Sequence, residues 1–100
     1  MDTYVILRRS GWRSAEELEA AAARSTAEGD KTPDDIRWIR SYVLAEDGVG
    51  GLGTVCIYQA TSPEKIVEHA ERAGLPISEI VEVADTVIVR PDPVPAEAQA

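Results

Sequence analysis

The sequence has little of several residue types that carry chemistry. Its 100 residues include one cysteine, one histidine and no phenylalanine, and only 5% are aromatic. A lone cysteine forms no internal disulfide, which fits a reducing compartment. One histidine and one cysteine do not build a metal site rich in nitrogen and sulfur. Such a site would need carboxylates, water or the same residues from a second copy.

Positive charge is also scarce, since the sequence has ten basic and eighteen acidic residues and a net charge of −8. This balance argues against nucleic acid or an anionic membrane as a partner. No stretch approaches the roughly 20 apolar residues that a membrane helix needs. The first residues lack the basic flank and apolar run of a signal peptide. We therefore expect a cytoplasmic protein.

Catalytic motifs are missing as well. The sequence has no Gly-x-Ser-x-Gly, no His-Glu-x-x-His and no paired-cysteine spacing. The glycine-rich stretch 47–53 is not a phosphate loop, because no helix and no Lys-Ser/Thr pair follow it. It is predicted to be a flexible hairpin loop. An enzyme built in the cavity of a dimer would rest on fold analogy alone, so we expect a binding protein.

Two alternating segments predict a central hairpin, with strands over 36–44 and 54–60. Simple alternation places one set of side chains on one face of the first strand: Ile36, Trp38, Arg40 and Tyr42. The other face would hold Arg37, Ile39, Ser41 and Val43. In the second strand, Cys56 and Tyr58 share a face. The register between the strands stays open, since the loop does not fix it.

Helices are predicted on either side of the hairpin. Ser14 and Glu17 form a capping box at the start of the first, and Gly29 ends it. Ser62 caps the second, and Gly74 ends it. The apolar faces at helical spacing comprise Leu18, Ala21, Ala22 and Ser25 in the first helix and Ile66, His69, Ala70 and Ala73 in the second.

The ends of the chain complete the predicted fold. A first strand over 4–8 precedes a turn at 10–13, and a last strand is expected over 80–89. Glu82 and Asp85 interrupt that last strand, which indicates a bulge or an exposed edge. Residues 91–100, with three prolines, form a predicted disordered Pro/Ala-rich tail that cannot pack. One domain is thus expected over residues 1–90.

The order of elements is the ferredoxin-like split βαββαβ arrangement. It predicts an α+β sandwich with a four-stranded antiparallel sheet and two helices on one face. The other sheet face is then exposed to solvent, covered by the tail, or buried against a partner. The sheet carries more large side chains than so small a domain easily covers, namely Trp38, Tyr42 and Tyr58. We therefore expect a homodimer through the open sheet face.

Three segments carry a resemblance to a known family. They are Trp-Ile-Arg-Ser-Tyr-Val at 38–43, Cys-Ile-Tyr-Gln-Ala at 56–60 and Glu-His-Ala-Glu-Arg-Ala-Gly-Leu-Pro at 68–76. The chain resembles a family of small bacterial proteins of unassigned function whose better-known members bind nickel. The resemblance implies a ferredoxin-like homodimer with a metal site that uses His69. The nickel-binding members tend to have histidine just before the Ser-Tyr pair, whereas this chain has Arg40.

Two functions follow as hypotheses. The first is binding of nickel or another divalent transition metal, with His69 as the best ligand candidate and Cys56 and Tyr58 as poorer ones. The second is a dimer that binds a small molecule or anion on a sheet face carrying Trp38, Arg40 and Tyr42. Arginine suits the second, because it pairs with carboxylate or phosphate and does not ligate metals. Packing offers a plainer explanation, in which Cys56 is a small buried apolar residue and His69 an ordinary packed histidine.

Overall fold

The computed structural model describes residues 1–46 and 51–93, and its elements follow the predicted order. The elements are β1 (Asp2–Trp12), α1 (Ala15–Gly29), β2 (Ile36–Glu46), β3 (Gly51–Ala60), α2 (Pro63–Ala73) and β4 (Glu79–Glu82). The strands form one antiparallel sheet in the order β2-β3-β1-β4. Both helices pack on one face of this sheet and contact each other. The ferredoxin-like α+β fold is confirmed.

Helix α1 begins at the predicted cap. The Ser14 Oγ accepts a hydrogen bond from the backbone N–H of Glu17 at 3.2 Å, which satisfies one free donor of the first turn. The Glu17 carboxylate accepts from the N–H of Arg13 at 2.7 Å, one residue earlier than a standard capping box. The two carboxylates of the first turn, Glu16 and Glu17, also favour the positive end of the helix dipole.

Helix α2 has the predicted bounds and the predicted buried face. Ser62 occupies the N-cap, but its side chain makes no capping hydrogen bond, so that part of the prediction was wrong. Gly74 ends the helix with φ of 69°, a left-handed conformation that glycine adopts without steric cost. All four residues of the predicted stripe are buried: Ile66, His69, Ala70 and Ala73. They pack toward the side chains of β1 and β3 that point to the helices.

Strand β1 is longer than predicted, because a bulge replaces the expected turn at 10–13. Its pairing with β3 shifts register between Arg8 and Trp12, and Ser10 has φ of 48°. The Glu46 carboxylate accepts from the N–H of Ser10 at 3.0 Å and so satisfies a backbone donor that the ladder leaves unpaired. The strand then continues, and Trp12 returns to the helix side, where it is buried.

A second bulge lies at Ile39 in β2 and changes which side chains share a face. Trp38 pairs with Tyr58, whereas Arg40 pairs with the residue just before Tyr58. Ile39 therefore has no partner, and the alternation reverses after it. Trp38 lies on the helix side with Tyr58, while Arg40 and Tyr42 lie on the open face. The prediction that Trp38, Arg40 and Tyr42 share one face was wrong.

Strand β4 is much shorter than the predicted 80–89. It covers four residues and pairs only with β1, at the edge of the sheet, as the exposed-edge prediction required. The N–H of Val83 still donates to the Thr3 carbonyl at 2.8 Å, but β1 begins at Asp2, so the following residues have no strand to pair with. The residues Val87, Ile88 and Val89 are 77–84% exposed despite their high strand propensity.

The chain beyond β4 reaches the opposite edge of the sheet. Asp92 accepts hydrogen bonds from the Arg40 guanidinium and from the Tyr42 hydroxyl, the latter at 2.8 Å. This position of the predicted tail therefore contacts β2. Residues 94–100 of that tail lie outside the described residues, as do residues 47–50 of the glycine-rich loop. The remainder of that loop, from Gly51 to Gly53, belongs to β3.

Candidate functional site

One serine joins three elements at the centre of the molecule. The Ser25 Oγ of α1 lies 3.0 Å from the Tyr58 hydroxyl of β3 and 3.0 Å from the His69 Nε2 of α2. All three side chains are buried. The Tyr58 and His69 rings also meet edge to face, with centroids 5.8 Å apart. We call Ser25, Tyr58 and His69 the serine cluster.

His69 is held as a neutral imidazole. Burial lowers its pKa, and the positive charge of Arg8 lowers it further, which outweighs the opposite effect of Glu28. If Nε2–H donates to Ser25, the lone pair resides on Nδ1. Among residues 1–46 and 51–93, no group hydrogen-bonds with this buried Nδ1. The cluster thus presents one nitrogen that is able to act as a ligand.

The other predicted metal ligands, Tyr58 and Cys56, are less suitable. Burial raises the pKa of Tyr58, so its phenol stays protonated at neutral pH and bonds to Ser25. Cys56 is buried and donates from its Sγ to the Thr54 Oγ1 at 3.3 Å. In the part of the chain that the structure describes, no three His, Cys, Asp or Glu side chains are grouped to hold a metal ion.

Two carboxylates flank a small cavity beside His69. This cavity has a volume of about 130 Å³, and its wall includes Asp35, Lys65, Glu68 and Arg72. The Lys65 ammonium lies 3.8 Å from the Asp35 carboxylate and 3.5 Å from that of Glu68. The Lys65 ammonium thus lies between the two carboxylates, at a position where both would otherwise attract a bound cation.

The residues predicted to bind an anion are separated by the sheet. The Trp38 ring stacks on the Tyr58 ring with centroids 6.0 Å apart, and its Nε1–H donates to the Ser41 Oγ at 2.7 Å. On the opposite face, Arg40 and Tyr42 already hold Asp92. The hydrogen bond from Tyr42, followed by the bond and charge of Arg40, lowers the pKa of Asp92. A carboxylate of the chain itself therefore occupies the predicted anion site.

A larger cavity, which we call the α1 cavity, lies between helix α1 and the sheet. Its volume is about 210 Å³, and its walls are almost entirely apolar. The side chain of Arg8 lines it and is only 1% exposed. Sequence reasoning missed this arginine, although a signal existed: alternation places Arg8 on the same face as the buried residues Tyr4 and Ile6.

Comparison with known proteins identifies the family of the chain. The family model described as "Nickel responsive protein SCO4226-like" matches residues 4–83. The chain belongs to this family. The resemblance stated from the sequence is thereby confirmed, and the printed description of the family names a response to nickel. No curated protein matches the sequence.

A solved structure supports the fold independently. The crystal structure of SCO4226 from Streptomyces coelicolor A3(2) superimposes with a TM-score of 0.63 and 22% sequence identity, over 85% of this chain and 99% of that one. At this identity the likeness shows the fold alone. Within residues 1–46 and 51–93, every helix is too short or too polar to cross a membrane.

Proposed function

We propose that the protein binds a divalent transition-metal ion of the nickel type as a labile ligand, with His69 as its protein donor. The observation that carries this proposal is the buried Nδ1 of His69, which is left without a hydrogen-bond partner among the described residues. Membership of a family described as nickel-responsive supports the choice of metal. Imidazole nitrogen is also a preferred ligand of nickel, zinc and copper.

The surroundings of His69 suit a ligand that is oriented in advance. The hydrogen bond between Nε2 and Ser25 orients the ring, and with Nε2–H as the donor it leaves the lone pair on Nδ1, as the outer hydrogen bond of a metal-binding histidine commonly does. Because three ligand side chains do not converge in the described residues, water, nearby carboxylates or a second copy of the chain completes the coordination. A site with one imidazole binds weakly and exchanges its ion, which suits a response to metal rather than a structural role.

Calorimetric titration of Ni²⁺ at neutral pH tests the proposal, with protein that carries no histidine tag. Wild type is expected to bind saturably, and His69→Ala should lose at least tenfold in affinity because its only imidazole is gone. Mg²⁺ serves as the control ion, since it prefers oxygen ligands and should not compete. Equal binding by wild type and a folded His69→Ala, or no binding by either, would reject His69 as a ligand.

Lys65 provides a second arm of the same experiment. Replacing Lys65 by Met removes the ammonium between Asp35 and Glu68 and leaves both carboxylates available to a cation. Affinity for Ni²⁺ should therefore increase. The matched control is Lys31→Met, which removes the same charge from a surface pair with Glu28. An equal increase in both variants would mean that only net charge, and not the cavity beside His69, controls binding.

A further inference from the structure

We propose that the α1 cavity is a binding site for a small organic monocarboxylate with an apolar body about the size of one ring, and that Arg8 is the partner of its carboxylate. This site shares no wall residue with the cavity flanked by Asp35 and Glu68. It does not depend on metal binding, and nickel is not needed to test it.

The first argument is the state of Arg8. It is the largest fully buried side chain of the described residues, and none of its Nε, Nη1 and Nη2 atoms has a hydrogen-bond partner there. Removing a charged group from water without a partner costs several kcal/mol, so buried cations are almost always paired. The Arg8 side chain lines the α1 cavity, and the five N–H donors of its guanidinium have no protein partner among the described residues.

The groups that surround Arg8 do not neutralise it. Its Cζ lies 5.9 Å from the centroid of the Tyr58 ring, a contact with an aromatic face that carries no net charge. Its charge lowers the pKa of His69 and helps to keep that ring neutral. Glu19 is the acidic residue of the cavity wall, but it is exposed on α1 and forms no ion pair with Arg8. No group among the described residues hydrogen-bonds to the Arg8 guanidinium, so its charge remains available to a ligand anion.

The walls specify the rest of the ligand. A dry cavity of about 150 Å³ is large enough to hold benzene, so about 210 Å³ accommodates one ring with a carboxylate. Three aromatic side chains, from Trp12, Trp38 and Tyr58, supply flat apolar surface. Thr54 lies opposite Arg8 in the ladder, and its hydroxyl accepts from Cys56, which leaves its own hydrogen to donate.

A monocarboxylate fits this donor set better than a phosphate. The guanidinium fork matches the two oxygens of a carboxylate with two parallel hydrogen bonds. A phosphate would bring more charge and a third oxygen into a wall that is otherwise nearly all carbon. An uncharged ligand of the same shape would leave Arg8 unpaired, so the charge on the ligand is the discriminating feature.

Benzoate is the probe, and benzamide is the matched neutral control. Binding to the wild type is followed by calorimetry and by tryptophan fluorescence, since both tryptophans of the chain line the cavity. We expect a Kd of about 1 mM or lower for benzoate, because burial of one ring and a bidentate pair of charged hydrogen bonds are together sufficient for that affinity. Benzamide should bind at least tenfold more weakly. Similar affinities for the two probes, or no saturable binding of benzoate, would overturn the proposal.

Variants locate the site. Arg8→Met should weaken benzoate binding by about tenfold to a hundredfold, the loss expected for a hydrogen bond to a charged group. Arg8→Lys keeps the charge but not the fork and should fall between Arg8→Met and wild type. Arg37→Met removes an exposed arginine of β2 that does not line the cavity and should bind like wild type. Unchanged binding in folded Arg8→Lys and Arg8→Met would overturn the assignment.

Discussion

At the scale of single residues, the centre of the molecule depends on polar groups that are satisfied by one another. Ser25 is a small polar residue on a narrow apolar face of α1, yet its one oxygen lies within hydrogen-bond distance of side chains in both β3 and α2. Its removal would leave the hydroxyl of Tyr58 and the Nε2 of His69 buried without partners, which costs more than the bond itself contributes. Arg8 is unusual by comparison, because it is buried and none of its nitrogens has a hydrogen-bond partner among the described residues.

Burial of His69 predicts a dependence of stability on pH. Its pKa in the folded protein is lower than its unfolded value of about 6.5, so the unfolded chain binds the proton more readily. The contribution of His69 is therefore complete above about pH 6.5 and is lost as the pH falls from there through the lower folded pKa. The free energy of unfolding should decrease below pH 6.5 with a slope of up to about 1.4 kcal/mol per pH unit.

Urea denaturation of the metal-free protein between pH 7.5 and 5 measures this effect. His69→Gln should flatten the dependence in that range, because the chain has no other histidine. A His69→Gln variant with the same slope as wild type would show that other groups, the carboxylates above all, control the acid side of the curve.

The sequence allowed part of the site to be predicted. Helical spacing placed His69 and Ser25 on inward faces, and alternation placed Cys56 and Tyr58 together, as the structure shows. No sequence pattern revealed that Ser25 hydrogen-bonds to both His69 and Tyr58, because these contacts depend on how α1 and α2 pack on the sheet. Arg8 was missed for a different reason, because a charged residue in a strand is normally taken to face solvent.

At the scale of elements, helices were more predictable than strands. Caps and breakers such as Ser14 and Gly74 mark helix ends locally. The end of a strand depends instead on whether a partner strand continues beside it. Residues 85–89 have strand composition, but they extend past the start of β1 at Asp2 and therefore have no partner strand there. Bulges at Ser10 and Ile39 are likewise absent from any local propensity, because they depend on the register with β3.

Gly53 illustrates how closely two strands approach at the bulge of β1. A Cβ built on Gly53 would lie 2.6 Å from the carbonyl oxygen of Arg8, and 2.1 Å from an oxygen of the Glu46 carboxylate. The Glu46 side chain is able to move away, but the Arg8 backbone is held by the ladder. Gly53→Ala should therefore destabilise the protein by about 1–3 kcal/mol, as overpacking in a close-packed region does.

Gly29→Ala is the matched control for this substitution. Its new methyl group would meet His69 Cε1 at 3.6 Å, an ordinary contact, and alanine is favoured over glycine in a helix. The midpoint of urea denaturation should fall for Gly53→Ala and stay constant or rise for Gly29→Ala. Equal midpoints for Gly53→Ala and wild type would show that the β1 bulge accommodates the added methyl group with little loss of stability.

At the scale of the whole molecule, the sheet has one covered face and one open face. The helices cover one, and the other presents aliphatic side chains at the centre of the sheet: Val5, Leu7, Val55, Ile57 and Val81. In the single chain Val81 is exposed and the other four are partly buried. A second copy of the chain, predicted from the sequence, would remove this apolar surface from water.

Light scattering at micromolar concentration measures the assembly. We expect the mass of two chains for wild type and of one chain for Ile57→Glu, because a carboxylate at the centre of the interface is costly to bury and its cross-strand neighbour Arg40 is already paired with Asp92. Val67→Glu, on the exposed side of α2, adds the same charge and should leave the dimer intact. A monomeric wild type would contradict the predicted homodimer.

The bulge at Ile39 has a consequence for how such a chain tolerates changes in length. With Ile39 present, Ser41 and Val43 face the α1 cavity, while Arg40 and Tyr42 hold Asp92 on the open face. Deletion of that one residue would restore uninterrupted alternation and would leave every other residue of β2 opposite its present partner, so neither set would change sides. Arg40 and Tyr42 would keep Asp92, and the walls of the α1 cavity would stay the same. The strand thus carries one residue more than its pairing needs, and it tolerates a deletion here better than at a regularly paired position, where the loss of one residue would turn the rest of the strand over.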